Sequence, residues 1–436
     1  MTPLVIGFLS LGGLLVLLAM RVHVGIALGA VSLLGMTAIR GPNAAIAAVA
    51  DLPYQFVAHW TLSAVPLFLL MGAIVFHTGL TGSLYAAARN WLNFLPGGLA
   101  IATNVAGAGF AAVSGSSLAT AAAIGRIAIP EMLKARYDPG LASAVVAASG
   151  TIGSLIPPSI LLVIYGTFTE QPIGELLIAG ILPGLLTAAI YTLLVLGRCM
   201  ANPDLAPRTD EYIPWEAKWA SLREVWPVPV LFLAVIVSIY AGIATATEAA
   251  AVGAFVALLI AVFQRRLNRR ALRDSVMEAA ISTGSIFFVA MGAILLTRLL
   301  ALSGIPFWMV QQLNASDIDP LVFLLGVSVI YLVLGMFLDP IGLMLVTLPV
   351  LYPLFEAMGM NLIWVGILVI KYLEIGLLTP PVGLNVYVVK GVAGDQISLG
   401  VIFKGIIWFL LAEVVVLTLL ISFPAISLWL PSMIVK

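Results

Sequence analysis

Four short stretches of this chain place oxygen-bearing groups where an apolar helix cannot continue. They are Ser114-Gly115-Ser116-Ser117; Pro157-Pro158-Ser159, with Gly153 just before it; Asp339-Pro340; and Thr379-Pro380-Pro381, with Gly383 and Asn385 just after it. Unwound backbone frees carbonyl and N–H groups that a helix would have used. A sodium ion can take oxygens from such carbonyls and from hydroxyls. The N–H groups that open a half-helix suit an anion such as a carboxylate. Glycines at 115, 153 and 383 let backbone approach closely. The chemistry on offer is reversible binding of ions and acids.

Each of these residues also has a plainer use. A serine in an apolar helix commonly bonds its own i−4 carbonyl, so it is the clustering of Ser114, Ser116 and Ser117 at a break that favours ligation. An acid in an apolar run is costly and rare. Asp339 can coordinate a cation or support a tip, and it can also cap a helix with Pro340 in the first turn. Glu248 follows Thr245 and Thr247, either of which can cap a helix, and reads as a structural or gating residue. Arg126, Arg298, Lys371 and Glu374 are expected nearer the membrane interface, where long side chains reach water. One basic residue among them could offset a substrate carboxylate.

The elements that must hold these groups are membrane helices. Of the 436 residues, 62% are hydrophobic and 9% charged, against about 25% charged in soluble domains. Mean hydropathy is +1.15, and a soluble core could not hide that much apolar surface. Formal net charge is zero, with no basic block of the size nucleic acid requires. A single cysteine, Cys199, excludes an intrachain disulfide, and three histidines are too few for a transition-metal site. The chain lacks the basic n-region and small-residue cut site of a cleaved signal, so its first apolar run reads as a retained helix.

Apolar runs at about 4–20, 22–39 and 54–76 predict helices, with a short connection marked by Pro42, Asn43, Asp51 and Pro53. The segment 95–135 breaks at Ser114–Ser117 into two arms too short to cross easily, the second ending at Pro130-Glu131. This predicts a re-entrant hairpin, with one long kinked helix as the competing reading. Residues 141–168 predict a helix broken at Pro157-Pro158, because Pro158 cannot continue the ladder and pushes Pro157 out of helical geometry. Residues 174–197 cross. The stretch 198–223 is hydrophilic, with Arg208, Asp210 and Glu211 among its charges and Trp215 and Trp219 as interfacial anchors. It divides a first repeat (1–200) from a second (223–436), with 201–222 as a linker.

In the second half, crossings at 225–240 and 243–263 lead to five arginines between 265 and 273. Arginines between membrane segments mark the cytoplasmic side. Two crossings separate this loop from the linker, which places the linker there too. An apolar stretch follows at 276–300, then a short interfacial piece at 305–313. A second hairpin is expected at 321–355, broken at Asp339-Pro340. A second broken helix is expected at 362–390, broken at Pro380-Pro381, and a last region of more than one segment at 397–435. In each half the hairpin tip precedes the double proline by about 40 residues. Matching broken segments in two halves point to a binding site near the bilayer midplane.

Five segments in order resemble the large membrane subunit of the tripartite ATP-independent periplasmic (TRAP) transporters, the DctM-type permeases. They are Gly107–Ser117, Gly153–Ser159, Thr245–Val252, Gly335–Pro340 and Thr379–Asn385. The resemblance covers nearly the whole chain. It implies an all-α, multi-pass protein of the bacterial inner membrane with an elevator-type ion-transporter fold. Two hairpins and two broken helices would slide against a scaffold of the remaining helices. It implies sodium as coupling ion near Ser114–Ser117 and Thr379–Asn385, and no organic cofactor. It implies three partners: a small four-helix membrane subunit, expected as a separate chain, a periplasmic substrate-binding protein, and an organic-acid substrate such as a C4-dicarboxylate or sialic acid. Relatives often carry proline between the two threonines before the glutamate, where this chain has Ala246.

Other classes fit less well. A membrane enzyme would need a convergent set of His, Asp, Glu or Cys. An ATP-driven pump would need a phosphate loop, and the chain has none. A channel or purely structural protein would have no use for paired hairpins and broken helices. A stand-alone sodium-coupled carboxylate carrier is the nearest alternative.

Overall fold

Long apolar runs punctuated by glycine, proline and capping residues give an all-helical chain, seen in a computed structural model that describes residues 1–50, 52–207, 213–316 and 318–434. Asp51, Arg208, Asp210 and Glu211 lie outside the described residues. Among the described residues there is no strand, and six helices are long and apolar enough to cross a bilayer. A seventh span results if Trp215–Val225 and Pro227–Tyr240, bent by 43°, count as one.

The first hairpin consists of Gly98–Ser114 and Ser117–Lys134. Gly115 turns the chain at φ +64°, in the left-handed region that glycine tolerates. Ser116 then caps the second arm by accepting from the Ala119 N–H at 3.4 Å. That arm runs through Pro130 to Lys134 rather than stopping at Pro130-Glu131. Proline removes only one bond of the ladder, and a membrane helix tolerates that. Asn104 anchors the first arm, its Nδ2 donating to the Ala188 carbonyl at 2.8 Å and to Thr192 Oγ1 at 3.0 Å. The first broken helix comprises Pro139–Thr151, one 3-10 turn at Ile152–Ser154, and Ile160–Thr169. Every residue from Gly140 to Ile164 is buried, including the unwound stretch. An element apolar all round belongs at the centre of a bundle.

The second half repeats the plan. Pro320–Gly335 and Pro340–Ala357 form a hairpin, and Leu362–Gly376 and Leu384–Ala393 form a broken helix. Pro157-Pro158 and Pro380-Pro381 are both cis. The halves interlock. Leu384–Ala393 packs on the first hairpin and on Pro139–Thr151, while Ile160–Thr169 packs on Leu362–Gly376 and on Pro340–Ala357.

A second group of helices packs against this core. Val24–Arg40, the span Trp60–His77, Ala246–Phe263 and Arg269–Ser303 pack chiefly on one another. Arg269–Ser303 is a single helix of 35 residues that begins inside the arginine run, capped by Asn268 on the Ala271 N–H at 2.8 Å. It begins earlier than the apolar stretch expected at 276–300, and the arginines expected as a loop are part of it. Arginine is a good helix former, so a capped helix extends through them. The connection after Arg40 likewise contains two short helices, Pro42–Ala50 and Leu52–Val57.

Four contacts settle which ends lie together. Arg266 Nη1 donates to the Gly79 carbonyl at 2.9 Å, and His77 Nε2 lies 2.7 Å from Glu278 Oε2. Trp91 Nε1, at the end of the helix that follows, donates to the Lys218 carbonyl at 3.1 Å. The Asp138 N–H donates to the Leu205 carbonyl at 2.9 Å. The linker and the base of the first hairpin therefore share the side of the arginine run.

Candidate functional site

Tips from both repeats meet at one cavity of about 400 Å³. The first hairpin contributes Gly115, Ser116 and Ser117, and the second contributes Asp339 and Pro340. Ser154, from the first broken helix, and Glu374, from the second, complete that wall. The rest of the lining includes residues of the second group of helices: Leu69 on one span, and Ile281, Ser282, Ser285 and Ile286 on the long helix. Ser282 sits about 20 Å along that helix from Arg269, at 1.5 Å per residue, which is near mid-membrane depth.

The first tip is held by its own hydroxyls. Ser114 Oγ lies 3.0 Å from Thr120 Oγ1, and Thr120 Oγ1 donates to the Ser116 carbonyl at 2.8 Å. Gly153 passes close beneath, where a Cβ would lie 3.0 Å from Thr120 Oγ1 and 3.1 Å from the Ser116 carbonyl oxygen. The Pro158 carbonyl sits over Gly115, 2.3 Å from where a Cβ would be. Ser159 donates to the Ser154 carbonyl and caps Ile160–Thr169 by accepting from the Leu162 N–H at 3.3 Å. Pro157, Pro158 and Ser159 thus shape the floor behind the first tip.

Asp339 both caps and faces the cavity. Its Oδ2 accepts from the Gly342 N–H at 2.8 Å, with Pro340 at the first helical position. Around the second break, the Thr379 hydroxyl donates back to the Ile375 carbonyl at 2.7 Å. Pro380 and Pro381 are exposed outside the cavity, and Gly383 turns at φ +59°. The Asn385 N–H closes the unwound segment onto the Leu377 carbonyl at 3.1 Å. Asn385 itself is fully buried behind the first tip. Its Nδ2 donates to the Ala147 carbonyl at 3.2 Å, and its Oδ1 has no partner. Glu248 lies elsewhere, in a complete capping box with Thr245: the Thr245 N–H donates to Glu248 Oε2 at 2.8 Å, and Thr245 Oγ1 accepts from the Glu248 N–H at 3.3 Å.

Lys371 and Glu374, expected near the interface, lie in the interior instead. Both are fully buried. Each is held by partners inside the protein rather than at the membrane interface. Glu374 holds the first tip, with Ser117 Oγ 2.7 Å from each carboxylate oxygen and 2.8 Å from Ser154 Oγ. Lys371 points away, to Glu413 on Leu399–Ser422 at 2.7 Å and to Thr187 Oγ1 at 3.2 Å. Tyr191 donates its hydroxyl to the same Glu413. Arg298 is half-buried and donates to the Ala48 carbonyl at 2.7 Å, and Arg126 lies 5.9 Å from the Phe76 ring centroid.

Residues 11–426 match the family model described as "Tripartite ATP-independent periplasmic transporter, DctM component". The chain belongs to the DctM family. It is 36% identical, over 86% of its length and 87% of the relative's, to the C4-dicarboxylate TRAP transporter large permease DctM of Pseudomonas aeruginosa. It is 31% identical, over 86% and 87%, to the sialic acid TRAP transporter large permease SiaM of Vibrio cholerae. Among solved structures it resembles MtrF of Neisseria gonorrhoeae, with a TM-score of 0.60 at 12% identity over 87% of this chain and 85% of that one. That likeness speaks to fold alone. This DctM-family chain is thus a multi-pass inner-membrane transport permease, and its relatives are named as permeases rather than enzymes.

Proposed function

We propose that this permease imports an organic acid on a sodium gradient, receiving it from a periplasmic binding protein and working with a small four-helix membrane subunit. The observation that carries this reading is the cavity: tips from both repeats form one wall, and a separate helical body forms the other. Sliding of the tip-bearing core along that body would carry the cavity from one side to the other, which is an elevator movement. The names of relatives, which include a C4-dicarboxylate and a sialic acid permease, support a carboxylate substrate.

The donor set supports sodium as the co-transported ion. It consists of hydroxyl, carbonyl, amide and carboxylate oxygens. Asn385 Oδ1, buried and unpartnered beside the first tip, is the most direct support. A buried polar atom without a partner is costly. Ser117 Oγ, Ser154 Oγ and Asn385 Oδ1 are the side-chain oxygens assigned to the ion on the first side. Carbonyls of the Thr379–Asn385 loop are assigned to it on the second. Substrate would occupy the cavity between Ser116 and Asp339, where Ser282 and Ser285 add hydroxyls.

The test is uptake into proteoliposomes holding this chain and its small subunit, with purified binding protein outside and a panel of organic acids. Uptake that needs both the binding protein and an inward sodium gradient supports the reading. Uptake without the binding protein would indicate a stand-alone carrier, and uptake indifferent to the gradient would remove sodium from the mechanism.

A further inference from the structure

Arg198 is a cation that the protein leaves without a counter-ion. It stands in the last turn of Ile181–Ala201. That end is cytoplasmic, because Leu205 follows closely and its carbonyl binds the Asp138 N–H. Lys404 lies at the same end: at its neighbour Gly405 a Cβ would sit 2.2 Å from the Gly140 carbonyl oxygen. From a last turn, an arginine ordinarily reaches past the helix end to water. The Arg198 guanidinium lies instead over Trp408, 4.7 Å from the ring centroid and within cation–π range. Trp408 is on Leu399–Ser422, about 13 Å from its start at 1.5 Å per residue. Arg198 Nη1 is shielded and has no hydrogen-bond partner. The residue as a whole is half-buried, so its exposure falls on its other atoms. Among the described residues, no ion pair reaches Arg198 or Lys404. Asp138, an acid whose charge is felt at Arg198, is occupied in capping Pro139–Thr151, where it accepts from the Leu141 N–H at 2.8 Å.

Lys404 precedes Trp408 by one turn, which puts the ammonium and the indole on one face of the helix. Leu411 and Val415 continue that stripe away from the cytoplasmic end, and both are exposed. Read from the cytoplasm inward, the stripe runs cation, indole, aliphatic, with a second cation laid across the indole. A phospholipid has the complementary order: phosphate, interfacial backbone, acyl chain. We infer that the groove between Ile181–Ala201 and Leu399–Ser422 binds the headgroup phosphate of a phospholipid in the cytoplasmic leaflet. The outward N–H groups of Arg198 donate to phosphate oxygens, a geometry that the guanidinium fork suits. Trp408 holds the plane of that fork. Lys404 adds a second charge on the cytoplasmic side, and an acyl chain lies along Leu411 and Val415. The lipid supplies the counter-charge that the protein lacks, and it ties the cytoplasmic ends of both helices to headgroup level. Neither sodium nor the transported acid takes part, so the site stands apart from the transport cycle proposed above.

The experiment is a titration of the full-length permease, purified in uncharged detergent, with phosphatidylglycerol, counting retained lipids by native mass spectrometry. Arg198→Gln should weaken the tightest phosphatidylglycerol site about tenfold, equivalent to one charged hydrogen bond. Trp408→Leu should weaken it about fivefold through the lost cation–π contact. Arg223→Gln, at an exposed position on Trp215–Val225, should leave it unchanged. Parent affinity in both Arg198→Gln and Trp408→Leu would overturn the inference. An equal loss in Arg223→Gln would overturn it too, by reducing the attraction to general surface charge. Diacylglycerol held as tightly as phosphatidylglycerol would leave only an apolar groove, and displacement of the lipid by inorganic phosphate would leave a free-anion site; either result overturns the lipid assignment. Loss of a co-purifying small subunit from Arg198→Gln, with lipid retained, would give this face to a protein partner instead. Where Arg198→Gln does not fold, Lys404→Gln at an exposed position decides: a several-fold loss supports the site, and an unchanged affinity overturns it.

Discussion

Removing Lys371 should be among the most damaging single changes to this fold. Lys371→Met keeps the bulk of the side chain but leaves Glu413 charged, buried and held only by the Tyr191 hydroxyl. Removing one partner of a buried pair costs about 3–5 kcal/mol, because the other charge stays in the interior. One kcal/mol moves a midpoint by roughly 2–4 °C in a domain of about 200 residues and by less in a larger unit, so the loss should be on the order of 5–10 °C. The chain provides its own probe. Cys199 is its single cysteine and is buried, so a thiol-reactive dye reports unfolding from one site. Midpoints compared at one scan rate avoid the drift that irreversible unfolding causes. Lys371→Met/Glu413→Leu, which removes both charges, should recover most of the loss and expose a coupling energy above about 2 kcal/mol. A single variant within about 1 °C of the parent, or a double variant as unstable as the sum of the singles, would refute the assignment of this pair as a mutually neutralising lock.

Three further outcomes follow from the tips and caps. Gly115→Ala puts a Cβ 2.3 Å from the Pro158 carbonyl oxygen at a positive φ; it should abolish uptake while the protein still reaches the membrane, and uptake above half the parent rate would contradict the close packing. Ser117→Ala removes a hydroxyl shared by Glu374 and Ser154 and should raise the sodium concentration for half-maximal uptake by about tenfold, equivalent to one charged hydrogen bond. An unchanged sodium requirement would take Ser117 out of the site. Thr245→Ala breaks the capping box and should cost about 0.5–2 kcal/mol in the same thiol assay with sodium dependence intact; a changed sodium requirement would return Glu248 to a gating role.

The hairpins and broken helices are legible in the sequence because their signals are local. Ser114–Ser117 and the two double prolines interrupt apolar runs at places where a helix has no means to continue. Lys371, Glu374 and Glu413 are harder to read. Their partners are far along the chain, Ser117 for Glu374 and Tyr191 for Glu413, and no local pattern pairs them. A positional signal was nonetheless present. Lys371 stands well inside its helix and Glu413 in the middle of Leu399–Ser422, while Glu374 stands one turn beyond Lys371, beside the break. Depth along the helix, rather than residue type, separates an interfacial charge from a buried one. Ser282 and Ser285 lacked even that cue, since serine is common in apolar helices. The side on which the first hairpin enters follows from long-range contacts such as Arg266 to Gly79.

The exchange of half-helices between the repeats also bears on how the protein is made. The first hairpin and Pro139–Thr151 receive Leu384–Ala393 as a packing partner, and 238 residues separate Ala147 from its partner Asn385. A ribosome delivers the first repeat long before it. Until residues 384–393 are inserted, Gly150 and the Ser117 carbonyl face an empty seat where Asn385 will lodge. Assembly of the core is therefore bound to delivery of the second half: the first tip can be threaded into the membrane early, but it acquires its final surroundings only when residues 384–393 have been inserted.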